Sequence, residues 1–389
     1  MIKGSSPLSQ LIEHLSRIKD LRMDRTKLYP LNEILFLCVS AVISGFEDWE
    51  EIVDFGEEKL DWLRKYLPYK NGIPSHDTVN RVVSMLDYRV FEKCFIDWAT
   101  MEITLPNGTV ISMDGKKLRG SATKKEQQTA HIDGGKSAKH IVHAWCGSLE
   151  MCLGQYQVAG KSNEIVAIPA LLELLAIEGC IITIDAIGCQ KKIVEKIVKE
   201  KADYVISVKD NQEALALGLF EAFNVEDKEV ATPSDEQAKY KEPERNHGRI
   251  EMRICKVLPS SKLPDWVNRE DWSELNSIIC VQSRREILST GVIEEEERFY
   301  ISSLRLSPKE FNTIVRAHWK VENQLHWTLD AVFGEDDSRK RIRNAAENFS
   351  TIRKIALNLL KNNSEKISVN RKRNKAALSD LYREKMLKI

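Results

Sequence analysis

Residues 165–209 read IVAIPALLELLAIEGCIITIDAIGCQKKIVEKIVKEKADYVISVK, and this stretch decides the fold. Residues 165–179 carry apolar positions at helical spacing and stop at Gly179, a residue that readily takes the left-handed turn ending a helix. CIITIDAIG (180–188) is nearly all apolar, the pattern of a strand covered on both faces. Residues 191–202 return to helical spacing, and DYVISVK (203–209) is a second such strand. Upstream, TVISMDG (109–115), residues 139–147 and residues 151–160 read as three earlier strands. The order β-β-β-α-β-α-β predicts an α/β core around a mixed sheet.

On either side of this core the pattern changes. Residues 1–105 show helical spacing over 8–18, 30–45, 49–66, 76–86 and 88–103, which predicts an all-α N-terminal domain. The α/β domain spans 106–360 and carries a β-rich insertion at about 213–305. Within that insertion 226–247 is polar and loop-like, while 250–258, 277–288 and 297–304 read as strands. Long helices are predicted at 308–333 and 342–360, then a basic C-terminal tail, 361–389, with 363–376 loosely held.

With 42% hydrophobic residues in 389, disorder as the main state is excluded. No apolar run reaches the roughly 20 residues of a membrane helix, and no secretion signal is evident. The eight cysteines form no C-x-x-C pair, so reduced thiols in a cytoplasmic protein are expected. Lys+Arg and Asp+Glu balance at 58 each. The balance hides an uneven spread, with net −4 over 1–110, −7 over 111–337 and +11 over 338–389. A basic tail on an acidic body suggests a polyanionic partner. The plainer alternative is a solvated basic helix.

Three acids stand out by position. Asp114 ends the first core strand, Asp185 sits inside an apolar strand, and Glu322 lies mid-helix in RAHWKVENQLHWTLD. A carboxylate inside an apolar strand costs on the order of several kcal/mol unless it is paired or metal-bound. Three carboxylates can hold two Mg²⁺ ions for in-line phosphoryl transfer, with Mn²⁺ as a substitute. Basic residues surround them: Lys116, Lys117 and Arg119 follow Asp114, and Lys209 and Asn211 follow the fifth strand. Around Glu322 lie Arg316, His318, Trp319, Asn323 and His326, with the two histidines at i−4 and i+4. Such residues suit phosphate contact and base stacking. Their plainer readings are core aromatics and hydrogen-bonded histidines. Arg249 and, from the basic C-terminal stretch, Arg339, Arg341 and Arg343 complete the candidate DNA contacts.

At these residues the chain resembles the DDE transposases of bacterial insertion sequences, in the ISAs-type group with the H-repeat-associated proteins. The resemblance runs through YPLNEILFLCVSAVISGFEDWEEI, NGIPSHDTVNRVVS, ISMDGKKLRGS, KSNEIVAIPALLELL, TIDAIGCQ, DYVISVKDNQ, NHGRIEMR, RFYISSL and HWKVENQLHWTLDAVFGEDDSR. It implies an RNase H-like mixed sheet with flanking helices, in which the first and fourth strands are neighbours. It implies a divalent-metal triad on Asp114, Asp185 and Glu322, acting in DNA cleavage and strand transfer. The implied partners are double-stranded DNA, as terminal inverted repeats and target, and a second copy in a synaptic homodimer at the bacterial nucleoid. Some related transposases carry Y-x₂-R-x₃-E-x₆-K around the third acid. Here those positions are Val315, His318 and Leu329, so phosphate handling is expected to pass to Arg316, His318, Asn323 or His326. Alternative readings are a DNA-binding relic or repressor, and a nuclease without strand transfer.

Overall fold

The structure is a computed structural model that describes residues 7–20, 22–101, 103–122, 137–158, 164–226, 239–246 and 248–387. Helices α1 (Pro7–Arg17), α2 (Leu31–Ile43), α3 (Trp49–Glu58), α4 (Leu60–Leu63), α5 (His76–Met85) and α6 (Tyr88–Thr100) open the chain. Strands β1 (Val110–Leu118), β2 (Lys139–Cys146) and β3 (Met151–Val158) follow. Next come α7 (Glu164–Leu174), β4 (Ile181–Ile184), α8 (Lys191–Lys199), β5 (Asp203–Val208) and α9 (Glu213–Glu226). Then β6 (Lys239–Asn246), β7 (Arg249–Pro259), β8 (Ser277–Ile287) and β9 (Ile293–Ser302) precede α10 (Pro308–His318). A π-helical turn (Val321–His326), α11 (Trp327–Ala331), α12 (Ala345–Lys361), α13 (Val369–Leu378) and α14 (Asp380–Leu387) end it.

The chain divides into two compact units. The first comprises Met1–Thr104, Gly115–Asn163 and Glu322–Ile389, the second Leu105–Asp114 and Glu164–Val321. Strand β1 contributes to both. In the first unit the strand order is β3-β2-β1, and in the second it is β1-β4-β5-β9-β8-β7-β6. Strands β1, β4 and β5 pair in parallel, whereas β5 through β6 pair antiparallel. Among the described residues no helix is long and apolar enough to cross a membrane.

In the first unit, α2 (LNEILFLCVSAVI) is buried on nearly every side, as its unbroken apolar run requires. Helix α12 packs against α2, α5, α6 and β3 and is buried from Ala345 to Leu360 except Ala346. Two of its buried asparagines reach backbone groups of neighbouring elements. Asn358 bonds both backbone groups of Cys152, at 2.8 and 2.9 Å, and Asn348 donates to the carbonyls of Val83 and Leu86. Each such bond contributes about 1 kcal/mol net, and leaving its partner unmet would cost more.

Several expectations change. Strand β4 stops at Ile184, so Asp185 lies just beyond it, exposed rather than inside it. Strand β1 runs on to Leu118, which leaves Asp114 in mid-strand. Residues 239–246 of the expected polar loop are β6. The remainder, 227–238 and His247, lie outside the described residues, as do 159–160 of the expected third strand and 161–163 of the resembling motif. The expected loose segment 363–376 holds most of α13, with Lys372 and Arg373 buried. Arg373 bonds the Val42 carbonyl and Glu47, and Arg383 bonds Ser44 and lies over the Trp62 ring. Part of the basic C-terminal charge, Arg353 and Arg373, is therefore engaged with Glu47 of its own unit.

Candidate active site

Within the second unit, β1 and β4 register Val110 opposite Ile181, Ser112 opposite Thr183 and Met113 opposite Ile184. Side chains alternate along a strand, so one face carries two successive rungs, Val110 with Ile181 and then Ser112 with Thr183. Two residues further along each chain come Asp114, still within β1, and Asp185, just past the end of β4. Helix α10 runs along this face in the strand direction. Its Phe311, Ile314 and Val315 pack with Ile181, Val205 and Val110. A turn later its Ala317 and His318 meet Ser112 and Thr183.

Asp185 begins a 3₁₀ turn with an extended backbone, and its carboxylate accepts the Ile187 N–H at 3.2 Å. Burial of the carboxyl is the largest influence on it and raises its pKa. The negative charge of Glu164 raises it further, against the Ile187 N–H and the Lys209 ammonium. The residue as a whole keeps an exposed surface, so solvent reaches part of a carboxyl that its neighbours crowd. Gly188 closes the turn tightly, since a Cβ there would meet Ile184 Cγ2 at 2.3 Å. Asn211 Nδ2 donates to the Ala186 carbonyl at 2.7 Å, and Gln212 Nε2 to the Cys189 carbonyl at 2.8 Å. The segment after β5 thus braces the turn that carries Asp185.

His318 Nδ1 lies 3.0 Å from Thr183 Oγ1, whose hydroxyl donates to Ser112 Oγ at 3.1 Å. Burial and the Arg298 charge lower the His318 pKa to about 4. Arg298 stacks on the Trp319 ring, 4.2 Å from its centroid. Trp319, expected as a base-stacking platform, thus has a cationic partner on one face.

Glu322 is exposed in the π-helical turn of the first unit. That turn replaces the regular helix expected over 308–333, so positions 318, 322 and 326 do not keep i, i+4 spacing on one face. π-Turns inside helices are often found at functional sites. His326 Nε2 meets His143 Nδ1 at 3.0 Å, and His326 is held to about 3 by burial and by the Lys116 charge. His143 is fully buried and lowered well below the ordinary imidazole value by burial and by Lys354.

Lys116 is 7% exposed and faces Asp330 at 2.7 Å, Asp336 at 3.0 Å and Glu335 at 3.3 Å. Burial alone would raise the Glu335 carboxyl, but Lys354, Lys116 and Arg353 hold it at about 2. Lys116, expected to touch DNA, is instead the centre of a buried ion cluster, and its charge is not presented to a ligand. Arg341 is half-buried and donates to the Gly120 carbonyl at 2.8 Å. Lys117, Arg119, Lys209, Asn211, Arg249, Asn323, Arg339 and Arg343 are exposed, and Arg316 is half-buried. Arg119 also pairs with Asp336 at 3.3 Å.

The second unit therefore places Lys209, Asn211 and His318 about the end of β4 that leads into Asp185, while Asp114 follows Met113 in the paired strand β1. Sequence reading passed over Ser112, Thr183, Glu164 and Arg298. The two hydroxyl residues share the period-two spacing of the acids, which was the available signal. Glu164 and Arg298 carried none. Among the described residues no group of three or more His, Cys, Asp or Glu side chains lies close enough to hold a metal ion.

The family described as "Transposase DDE domain" matches residues 105–359, and one described as "DDE_Tnp_1-associated" matches residues 12–99. "Putative transposase YncI" of Escherichia coli O157:H7 is 41% identical over 98% of this chain and 95% of its own. "H repeat-associated putative transposase YhhI" of E. coli K12 is 42% identical over 96% of this chain and 97% of its own. A piggyBac transposase synaptic complex with hairpin DNA is similar at a TM-score of 0.45 and 12% identity, over 99% of this chain and 80% of that one.

Proposed function

The chain belongs to the DDE transposase family, and from that premise we propose that it is a transposase acting on the ends of its own insertion sequence. It would bind the terminal inverted repeats, cut phosphodiester bonds there and join the freed 3′-OH ends to target DNA. The observation that carries this reading is that Asp114 and Asp185 each follow directly on the last registered pair of β1 and β4, Met113 with Ile184, beyond two same-face pairs without charge. The parallel order β1-β4-β5 in the second unit supports an RNase H-like core.

Asp114, Asp185 and Glu322 would hold two Mg²⁺ ions. Carboxylate oxygens suit hard cations, and a cation would relieve the crowding of Asp185 by burial and by Glu164. Bound metal supplies activation of the attacking hydroxyl and stabilisation of the leaving oxygen. In cleavage a water oxygen bonds to phosphorus, the P–O3′ bond breaks, and the 3′ oxygen takes up a proton. In joining, that 3′ hydroxyl attacks a target phosphodiester and the target's 3′ oxygen leaves. Lys209 offsets the negative charge beside Asp185, and Asn211 holds the turn beneath it. The exposed Lys117, Arg119, Arg249, Asn323, Arg339 and Arg343, with Arg316, would contact DNA phosphates, giving salt-dependent affinity. A homodimer at the bacterial nucleoid would bring two ends together.

The test is cleavage and joining of labelled DNA carrying the element's terminal repeats, with Mg²⁺ or Mn²⁺, for wild type and Asp185→Ala. Metal-dependent nicking and joined products, lost in the variant, are expected. End binding without cleavage would point to a relic or repressor, and cleavage that ignores the ends and never joins to a nuclease.

A further inference from the structure

Ser112, Thr183 and His318 form a hydrogen-bonded relay whose direction follows from its ends. The Ala317 carbonyl can only accept, so the Ser112 hydroxyl donates to it, at 3.4 Å. Ser112 in turn receives the Thr183 hydroxyl at 3.1 Å. Thr183 has one hydroxyl proton, and Ser112 takes it. The 3.0 Å contact between Thr183 Oγ1 and His318 Nδ1 then needs the proton on the nitrogen. The imidazole is held as its Nδ1–H tautomer, and its Nε2 carries a lone pair.

Position gives that lone pair a use. His318 covers the hydroxyl rung, and Asp114 and Asp185 come two residues further along the two chains, just past the last registered pair. Same-face positions lie about 7 Å apart along a strand, which leaves room for one hydroxyl and its hydrogen bonds. A cationic side chain here would repel metal ions at the acids, whereas a neutral ring does not. Burial and Arg298 keep the ring neutral at ordinary pH.

We propose that His318 is a hydrogen-bond acceptor for the attacking hydroxyl, with Thr183 fixing the ring and Nε2 orienting the water or 3′-OH at Asp114 and Asp185. This rests on the transposase reading above. The rival role is a structural brace, in which only the bond to Thr183 matters.

The two roles separate by substitution and by spectroscopy on the full chain. His318→Asn places an amide nitrogen where Nδ1 stands and offers nothing at Nε2, while His318→Gln does the reverse. The ¹⁵N shifts of labelled histidine read the tautomer without any turnover. The expected result is the Nδ1–H tautomer in wild type. His318→Asn should keep the wild-type melting temperature and Mn²⁺ affinity. Its single-turnover cleavage of end DNA should fall about tenfold or more, the worth of one hydrogen bond to a reacting group. An Nε2–H tautomer, or full cleavage by His318→Asn, would overturn the proposal. If wild type shows the Nδ1–H tautomer yet cleaves with neither metal, the transposase reading itself fails and His318 is only a brace.

Discussion

Asp114 and Asp185 each follow the last registered pair of the β1–β4 ladder, Met113 opposite Ile184, with Asp114 inside β1 and Asp185 just past the end of β4. A fold selected for stability alone would not place them there. Asp185 is desolvated and further disfavoured by Glu164. Asp185→Asn keeps the shape and the capacity to cap Ile187 while removing the charge. We expect its melting temperature to equal or exceed that of wild type, with cleavage abolished, a trade between stability and activity. Calorimetry beside the cleavage assay checks this, and a clear drop in stability would mean the carboxylate is structural.

Acid should weaken the protein through its neutral histidines. His318 and His326 are lowered from 6.5 to about 4 and about 3, chiefly by burial, and His143 is lowered well below 6.5. Below pH 6.5 the unfolded chain binds protons that the folded chain refuses, so stability falls as pH falls. The loss continues until the folded values are reached, about 3 kcal/mol for a shift like that of His318. Urea melts from pH 7 to pH 4 measure the slope, and His318→Gln or His326→Gln should flatten it. An unchanged slope in both variants would show that these rings are not buried neutral.

Adjacent lysines should behave in opposite ways. Lys116 is buried among Asp330, Glu335 and Asp336, whereas Lys117 is exposed. Lys116→Met removes a partner of the buried Glu335 and of the partly exposed Asp330 and Asp336, and should cost about 1–3 kcal/mol in urea unfolding. Lys117→Ala should change stability by less than about 0.5 kcal/mol. It should instead weaken DNA binding at low salt and reduce the salt slope by about one.

The C-terminal helices should be required for folding rather than for DNA affinity alone. Glu47 pairs with Arg353 at 2.7 Å and with Arg373 at 2.6 Å, and both guanidinium groups are buried. Glu47→Gln leaves two buried cations short of a partner and should cost about 3–5 kcal/mol. Removal of α13 and α14 should expose the apolar face of α2 and give an aggregating or partly unfolded chain. A truncated chain that melts as wild type does would contradict this role.

Much of the architecture was legible because it rests on local pattern. The five helical stretches of residues 1–105 and the core strands fall close to where apolar spacing placed them, with one break at Lys59 that splits α3 from α4. Charge was less legible. The basic C-terminus suggested a polyanion, yet Arg373 meets Glu47 from 326 positions away in sequence, a pairing that composition cannot show. The π-helical turn also escaped, since one extra residue per turn leaves no mark in an apolar pattern. Asp185 was singled out for the wrong environment. It was expected inside a strand and stands at its end, where an exposed acid has access to a ligand. Ser112 and Thr183 repeat the spacing of the acids, but hydroxyls on a strand are common and carry meaning only once His318 is seen above them.

The central claim is that Asp114 and Asp185 hold a divalent cation for chemistry on DNA. The most direct measurement is a Mn²⁺ titration by calorimetry of the full chain bound to DNA carrying the terminal repeats. It would compare wild type with Asp114→Asn, Asp185→Asn and Glu322→Gln. Saturable binding in wild type, abolished by either Asp substitution and weakened in Glu322→Gln, is expected. Equal binding in all four proteins, or none in wild type, would contradict the claim.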